Sequence, residues 1–237
     1  MDIVQIELTR VSIPDIYHWE DKYLRFSCKN SMVDFSIAGP IIGVLAVFDV
    51  VLHIYLDMKK ARLRGNSRFR EPSIPIPPIA MTAVVASTLL SFFLVLIIPI
   101  VWVFGIEYTE LSYLGPIMFM PDILWIPGFC LLIVGILLHG WSRYVRQEMA
   151  AAWAMSELHK LVTSGPYSRV RHPSYTSYLL SFIGLSLLLP SIVTFITLIG
   201  IWGYYEISKV EERHLIEHFG ENYIEYMKRT GRFLPKL

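Results

Sequence analysis

The chain has 237 residues, 54% of them hydrophobic and only 17% charged, with a mean hydropathy of +0.49. Those values lie outside the soluble range and inside the membrane range. A net charge of +1 gives no electrostatic reason to expect a nucleic-acid partner. Cys28 and Cys130, with no Cys-x-x-Cys between them, exclude a disulfide framework and a cysteine zinc cluster.

Residues 1–32 mix Asp2, Glu7, Asp15, Glu20 and Asp21 with Tyr17, Trp19, Tyr23 and Phe26. No basic start followed by an apolar core is present, so the segment reads as interfacial rather than as a signal peptide. Residues 33–142 hold three apolar runs long enough to cross a bilayer: Val33–Leu56, Ile79–Phe104 and Ile123–Trp141. Asp49 and His53 stand one helical turn apart in the first. Lys59, Lys60 or water would satisfy the acid there. Pro99 predicts a kink in the second run. The first two runs are joined by the strongest basic cluster, Lys59 to Arg70, and by a connector with Pro72, Pro75, Pro77 and Pro78. The second loop has Glu107, Glu110 and Asp122 and no Lys or Arg. By the positive-inside rule the basic cluster is cytoplasmic and the acidic loop is outside.

Residues 143–237 form a third region. Tyr144 to Leu158 reads as an interfacial helix with Trp153 as an anchor. Two shorter apolar runs, Tyr175–Leu189 and Ile192–Tyr205, are joined by Pro190-Ser191 and read as a helical hairpin. Its second arm continues through Glu206 and Lys209 to Glu211-Glu212, and Phe219-Gly220 marks its end. The tail, with Tyr223, Tyr226, Lys228, Arg229, Arg232 and Lys236, reads as a membrane-surface helix followed by an extended end. The fold class is therefore all-α: a polytopic membrane protein of about five membrane-embedded helices, with a C-terminal hairpin and a cytoplasmic pocket.

The polar stretch between the apolar halves runs from His159 to Tyr175 and contains Gly165-Pro166 and Arg171-His172-Pro173. Pro173 pushes His172 away from helical geometry. Irregular backbone beside a membrane is tolerated where it lines a cavity. The hairpin brings the chain back to where it started, so this loop and Glu211-Glu212 can face each other. No Gly-x-Ser-x-Gly elbow, dinucleotide fingerprint, P-loop or His-Glu-x-x-His motif is present. A cationic, aromatic loop opposite two acids suits a small polar cofactor carrying both charges.

These residues match a known pattern. His159-x-Leu161-Val162-Thr163-x-Gly165-x-Tyr167, Arg171-His172-Pro173-x-Tyr175, Glu211-Glu212 and Phe219-Gly220-x-x-Tyr223 resemble the isoprenylcysteine carboxyl methyltransferases. The resemblance covers the C-terminal third. Phospholipid N-methyltransferases and membrane sterol reductases share a similar signature. It implies S-adenosyl-L-methionine as cofactor and a prenylcysteine-like lipid substrate that enters from the bilayer.

It also implies that His159, Leu161, Val162 and Tyr167 hold the adenosine part. His172, Pro173, Ser174 and Tyr175 would hold the amino-acid end, where a helix N-terminus offers free N–H groups. Glu211 and Glu212 would accept from the ammonium or ribose. The eukaryotic enzymes carry an Arg one turn before the matching Glu, where this chain has Ile207. Arg171, or Lys209, is then expected to grip the substrate carboxylate, which makes Arg171 and Glu211 the candidate catalytic residues. A phospholipid amine or another small lipid is the alternative acceptor, and a non-enzymatic membrane scaffold or transporter the alternative class.

The Lys/Arg asymmetry gives a direct test of topology. Single cysteines introduced at Glu110 and Lys236 should label from opposite faces of sealed vesicles, and labelling from one face would refute the arrangement.

Overall fold

The computed structural model describes residues 35–63, 74–105, 124–146 and 160–236. The expectations for residues 1–32, for the basic and acidic loop clusters at 64–70 and 107–122, for the interfacial helix beyond Arg146 with Trp153, and for His159 lie outside the described residues. The described residues form α1 (Phe35–Leu63), α2 (Pro78–Val103), α3 (Trp125–Arg146), a 3-10 turn (Gly165–Ser168), α4 (Pro173–Leu188), α5 (Ile192–Thr197), α6 (Ile199–Phe219) and α7 (Glu221–Arg229). One isolated parallel bridge, Val170 with Gly231, is the nearest thing to a strand among them. The protein is an all-α polytopic membrane protein.

Within α1, α2 and α3, the segments Gly39–Lys59, Pro78–Val103 and Trp125–Arg146 are long and apolar enough to cross a bilayer. Their outward faces are apolar, with Val44, Val51, Leu89, Phe93 and Val134 exposed. That is the pattern of helices solvated by lipid rather than water. α1 runs two turns past the expected end at Leu56, through the first lysines of the basic cluster. Pro99 lies inside a continuous α2, so the expected kink is not a break. Pro78 opens α2 and Pro173 opens α4 at the first helical position, where the missing N–H costs nothing. The second arm of the hairpin is interrupted at Leu198, between α5 and α6.

Close backbone approach sets the helix order. A Cβ on Gly184 of α4 would stand 2.7 Å from the Gly128 carbonyl oxygen and 2.8 Å from the Leu132 nitrogen of α3. A Cβ on Gly203 of α6 would stand 2.9 Å from the Ala80 carbonyl oxygen of α2. Helices that gain nothing from water expulsion associate through such small-residue seams. Two apolar clusters fill the spaces between them. One joins Ile42, Ile98, Leu132 and Leu185 from α1 to α4. The other joins Val84, Tyr175, Phe182, Tyr204 and Ile207 from α2, α4 and α6.

The ends of the bundle are distinct. At one end Gly39 packs on Trp102. At the other, Arg143 of α3 pairs with Asp57 of α1, and His214 of α6 hydrogen-bonds the Ile74 carbonyl ahead of α2 at 3.0 Å. The loop 160–172 and the C-terminal half of α6 lie at this second end. Gly184→Val should therefore disrupt the α3–α4 seam, with a cost of about 1–3 kcal/mol. The readout is a lowered unfolding temperature in detergent, and an unchanged one would mean that the seam gives way freely.

Candidate functional site

The loop after Gly165 is shaped by local chemistry. Gly165 has φ +58°, a conformation that favours glycine. Pro166 and Tyr167 are buried in the turn that follows. Residues 169–172 then run alongside the C-terminal tail. Gly231 N donates to Arg169 O at 3.1 Å, Arg171 N to Gly231 O at 2.9 Å and His172 N to Arg232 O at 3.1 Å. His172, at φ −122° and ψ 59°, caps α4. Opposite, α6 presents Glu211 and Glu212, both buried.

Glu212 is the centre of this cradle. Its Oε1 accepts from Arg171 Nε at 2.7 Å and from Arg232 Nε at 3.2 Å, and lies 3.3 Å from His172 Nε2; its Oε2 accepts from Arg232 Nη2 at 2.5 Å. Burial opposes its ionisation, but the hydrogen bonds from His172, Arg232 and Arg171 prevail and hold the carboxyl well below the usual carboxylate range. The other ring nitrogen of His172, Nδ1, stands 3.4 Å from Glu211 Oε2. Burial disfavours the imidazolium, yet Glu211 and Glu212 outweigh it and raise the imidazole pKa above its ordinary value.

Aromatic rings close the cradle. His172 stacks on Tyr175 at 5.3 Å and 9°, and Phe233 lies 6.0 Å from it. Tyr175 packs on Tyr204 at 4.6 Å and donates its hydroxyl to Glu211. Tyr223 is buried, and its hydroxyl has no partner among the described residues. Burial and the charge of Glu212 push its phenol far above the usual range, so it remains a neutral donor.

The structure brings together His172, Tyr175, Glu211 and Glu212, as the sequence implied. Pro173 is the buried first residue of α4. Tyr167 is buried nearby, its carbonyl accepting from Tyr226 Oη at 2.6 Å. Leu161 and Val162, half-buried, precede the turn without regular structure.

Four expectations need correction. Ser174 is turned away from the cradle and donates to Ser142 Oγ of α3 at 3.0 Å. The α4 N-terminus does not present a set of free amides: Pro173 has none, and the amides of Tyr175 and Thr176 both donate to His172 O, at 3.0 and 2.9 Å. Arg171 is not a free clamp for a carboxylate. Its Nε is on Glu212, and its Nη1 donates to the carbonyls of Thr230 and Met227. Lys209 pairs with Glu206 at 2.8 Å and lies over the Tyr205 ring. Finally, Tyr223 and Tyr226 are buried against the loop rather than laid on a membrane surface.

Arg232 and Phe233 belong to the site and were missed. Their sequence signal was Thr230-Gly231-Arg232, a small flexible residue set between two that can reach inward, but nothing in its spacing points to Glu212.

The geometry defines a class: a helical membrane protein with a buried, charged and aromatic cradle at one end of its bundle. Comparison with known proteins narrows it. Residues 124–222 match the family model described as phospholipid methyltransferase. The protein-S-isoprenylcysteine O-methyltransferase of Xenopus laevis is 45% identical over 83 residues, which is 34% of this chain and 28% of that protein. Its namesake in Saccharomyces cerevisiae is 39% identical over 79 residues, 32% of this chain and 33% of that protein. The cobalt-zinc-cadmium resistance protein CzcN of Cupriavidus metallidurans is also 39% identical over 79 residues, 32% of this chain and 36% of that protein. These matches span about a third of the relatives' own length. The solved eukaryotic intramembrane Ras methyltransferase ICMT aligns with 69% of this chain and 54% of its own, at 22% identity and a TM-score of 0.41. The resemblance is to the isoprenylcysteine carboxyl methyltransferases, as the motifs imply.

The electrostatics of the cradle predict a pH signature. Glu212→Gln should cost about 3–5 kcal/mol at neutral pH, because two guanidinium groups lose their buried counter-charge. The folded carboxyl has the depressed pKa, so this stability is complete above the ordinary value of 4.5 and fades as pH falls through the folded value. Thermal unfolding of wild type and variant should diverge at pH 7 and converge in acid. A pH-independent gap would refute the assignment.

Proposed function

We propose that the protein is an S-adenosyl-L-methionine-dependent membrane methyltransferase acting on the C-terminal carboxylate of a prenylcysteine-like lipid. One observation supports this above the rest: the Arg-His-Pro loop and Glu211 meet in one buried cradle, within residues 124–222 that match the phospholipid methyltransferase family model. The residues suit the cofactor. Glu211, on His172 and Tyr175, offers a carboxylate to an ammonium group. The half-buried ring of Phe233 favours a cationic centre. Tyr223 offers an unspent hydroxyl donor.

When bound, the cofactor supplies an electrophilic methyl group on a cationic sulfur. The protein's part is to orient and to exclude water. Arg171 and Arg232 act as positioning residues, since they fix Glu212 and through it the ring of His172. A carboxylate acceptor is ionised at neutral pH and needs no base. Alignment alone contributes several kcal/mol, about 7–11 in well-oriented reactions. The lipid would approach between helices and the cofactor from the cytoplasmic end.

A phospholipid amine as acceptor is the second reading. It is favoured by the pairing of both Arg171 and Lys209, which leaves neither cation unengaged at the cradle. An amine must lose a proton, and Glu211 is then the available base because Glu212 is held by two arginines.

Glu211→Gln separates charge from shape. S-adenosylhomocysteine affinity, measured by calorimetry, should fall about tenfold, the size of one charge-assisted hydrogen bond. The unfolding temperature should fall by less than in Glu212→Gln, because the ion partner of Glu211 is His172 alone among the described residues. Methyl transfer from labelled S-adenosylmethionine to a prenylcysteine analogue, against a phosphatidylethanolamine control, tests the acceptor. Unaltered affinity in a folded variant would remove Glu211 from the site, and transfer to the amine alone would select the second reading.

A further inference from the structure

Each ring nitrogen of His172 faces a different carboxylate. Nδ1 is 3.4 Å from Glu211 Oε2, and Nε2 is 3.3 Å from Glu212 Oε1. Both acids already act as acceptors, Glu212 from Arg171 and Arg232 and Glu211 from the hydroxyl of Tyr175. A carboxylate oxygen only accepts, whereas a neutral imidazole has one N–H and one lone pair. A neutral ring would therefore turn its lone pair on one of the two acids. Hydrogen on both nitrogens satisfies both contacts, so the ring between them is an imidazolium. Deeper in the bundle the ratio is reversed. His53 and His139 have their Nε2 atoms 3.1 Å apart, and one acid serves the pair: Asp49, expected on Lys59, has its Oδ1 3.3 Å from His53 Nδ1.

The charged and titratable groups around His172, among the described residues, come from every element of the cradle. Arg171 lies on its own loop, Tyr175 on α4, Glu211 and Glu212 on α6 and Arg232 on the tail, and Tyr223 of α7 feels the charge of Glu212. Two guanidinium groups and one imidazolium meet two carboxylates, an excess of one positive charge. The proposed cofactor brings an ammonium group to Glu211. Beside an imidazolium that group is repelled, because two cations then share one acid in a site that excludes water. Loss of the Nδ1 proton removes the conflict. The bared nitrogen accepts from the same ammonium, Glu211 keeps a cationic partner, and Nε2 keeps its hydrogen on Glu212.

We infer that His172 is a proton-exchange site, at which the arrival of a ligand's ammonium group on Glu211 displaces the proton of Nδ1 to solvent. The inference rests on the cofactor reading of the cradle. It makes the imidazole a selector for the amino group, since a ligand without one has nothing to exchange. Because a proton leaves, affinity increases with pH while the ring is protonated, by at most about tenfold per pH unit. It levels off above the folded pKa of His172, which the two acids hold above the ordinary 6.5.

The test is isothermal titration of S-adenosylhomocysteine into the detergent-solubilised protein at about pH 6.5, once in PIPES and once in imidazole buffer. The difference in heat between the two buffers counts the protons exchanged. About one proton should be released for each molecule bound. Deamino-S-adenosylhomocysteine, the same molecule without its amino group, should release none. His172→Gln should bind S-adenosylhomocysteine with no release either. Binding of S-adenosylhomocysteine to the wild type with equal heats in both buffers would overturn the inference and leave the cofactor reading standing. Release that persists with the deamino ligand, or in folded His172→Gln, would place the proton elsewhere and overturn it too. A wild-type protein that binds neither ligand would overturn the cofactor reading and this inference with it. The two ligands compared on the wild-type protein decide the matter even if His172→Gln fails to fold.

Discussion

The carboxylate of Glu212 joins three parts of the chain that reach it from different directions. Arg171 and His172 come from the loop before α4, Arg232 comes from the tail after α7, and Glu212 itself belongs to α6. A buried ion pair of this kind adds little net stability over an apolar replacement, yet its disruption is costly because charges remain without partners. Its contribution is therefore specificity. With two arginines and an imidazole committed to one carboxylate, the loop has a single low-energy position. His172 is thereby placed between Glu211 and the ring of Tyr175.

The bundle below gives this arrangement a rigid floor. Tyr175, Tyr204 and Ile207 are buried together, with Ile207 one turn before Glu211 on α6. An apolar residue there continues the aromatic packing beneath the cradle. Of the two cations expected to grip a substrate carboxylate, Arg171 pairs with Glu212 and Lys209 with Glu206. Under the proposed function, affinity for the cofactor would rest on α4, α6 and the tail, and recognition of the acceptor on what the helices present toward the bilayer.

Much of this was legible in the sequence. Pro173 announced the start of α4, Phe219-Gly220 the end of α6, and the length of the hairpin required its two polar ends to meet. Local rules and chain geometry are enough for such features. The division of labour between the adjacent acids was not legible. Neighbouring residues on a helix point about 100° apart, so only the packing of the tail decides that Glu212 takes the arginines and Glu211 the tyrosine. Ser174 shows the same limit, for its motif position suggested the cradle while its helical phase directs it at Ser142 on α3. The tail looked like a surface helix because its cations and tyrosines fit an interface equally well. Its burial depends on a long-range bridge, Val170 to Gly231, that has no periodic signature.

That bridge also orders events during synthesis. Arg169 to His172 hydrogen-bond residues 231 and 232, and Thr176 Oγ1 donates to the Phe233 carbonyl at 2.8 Å. The ribosome adds this strap only after every described helix has been made. Until it is made the cradle lacks Arg232 and the loop lacks its partner strand, whatever order the helices before it insert in.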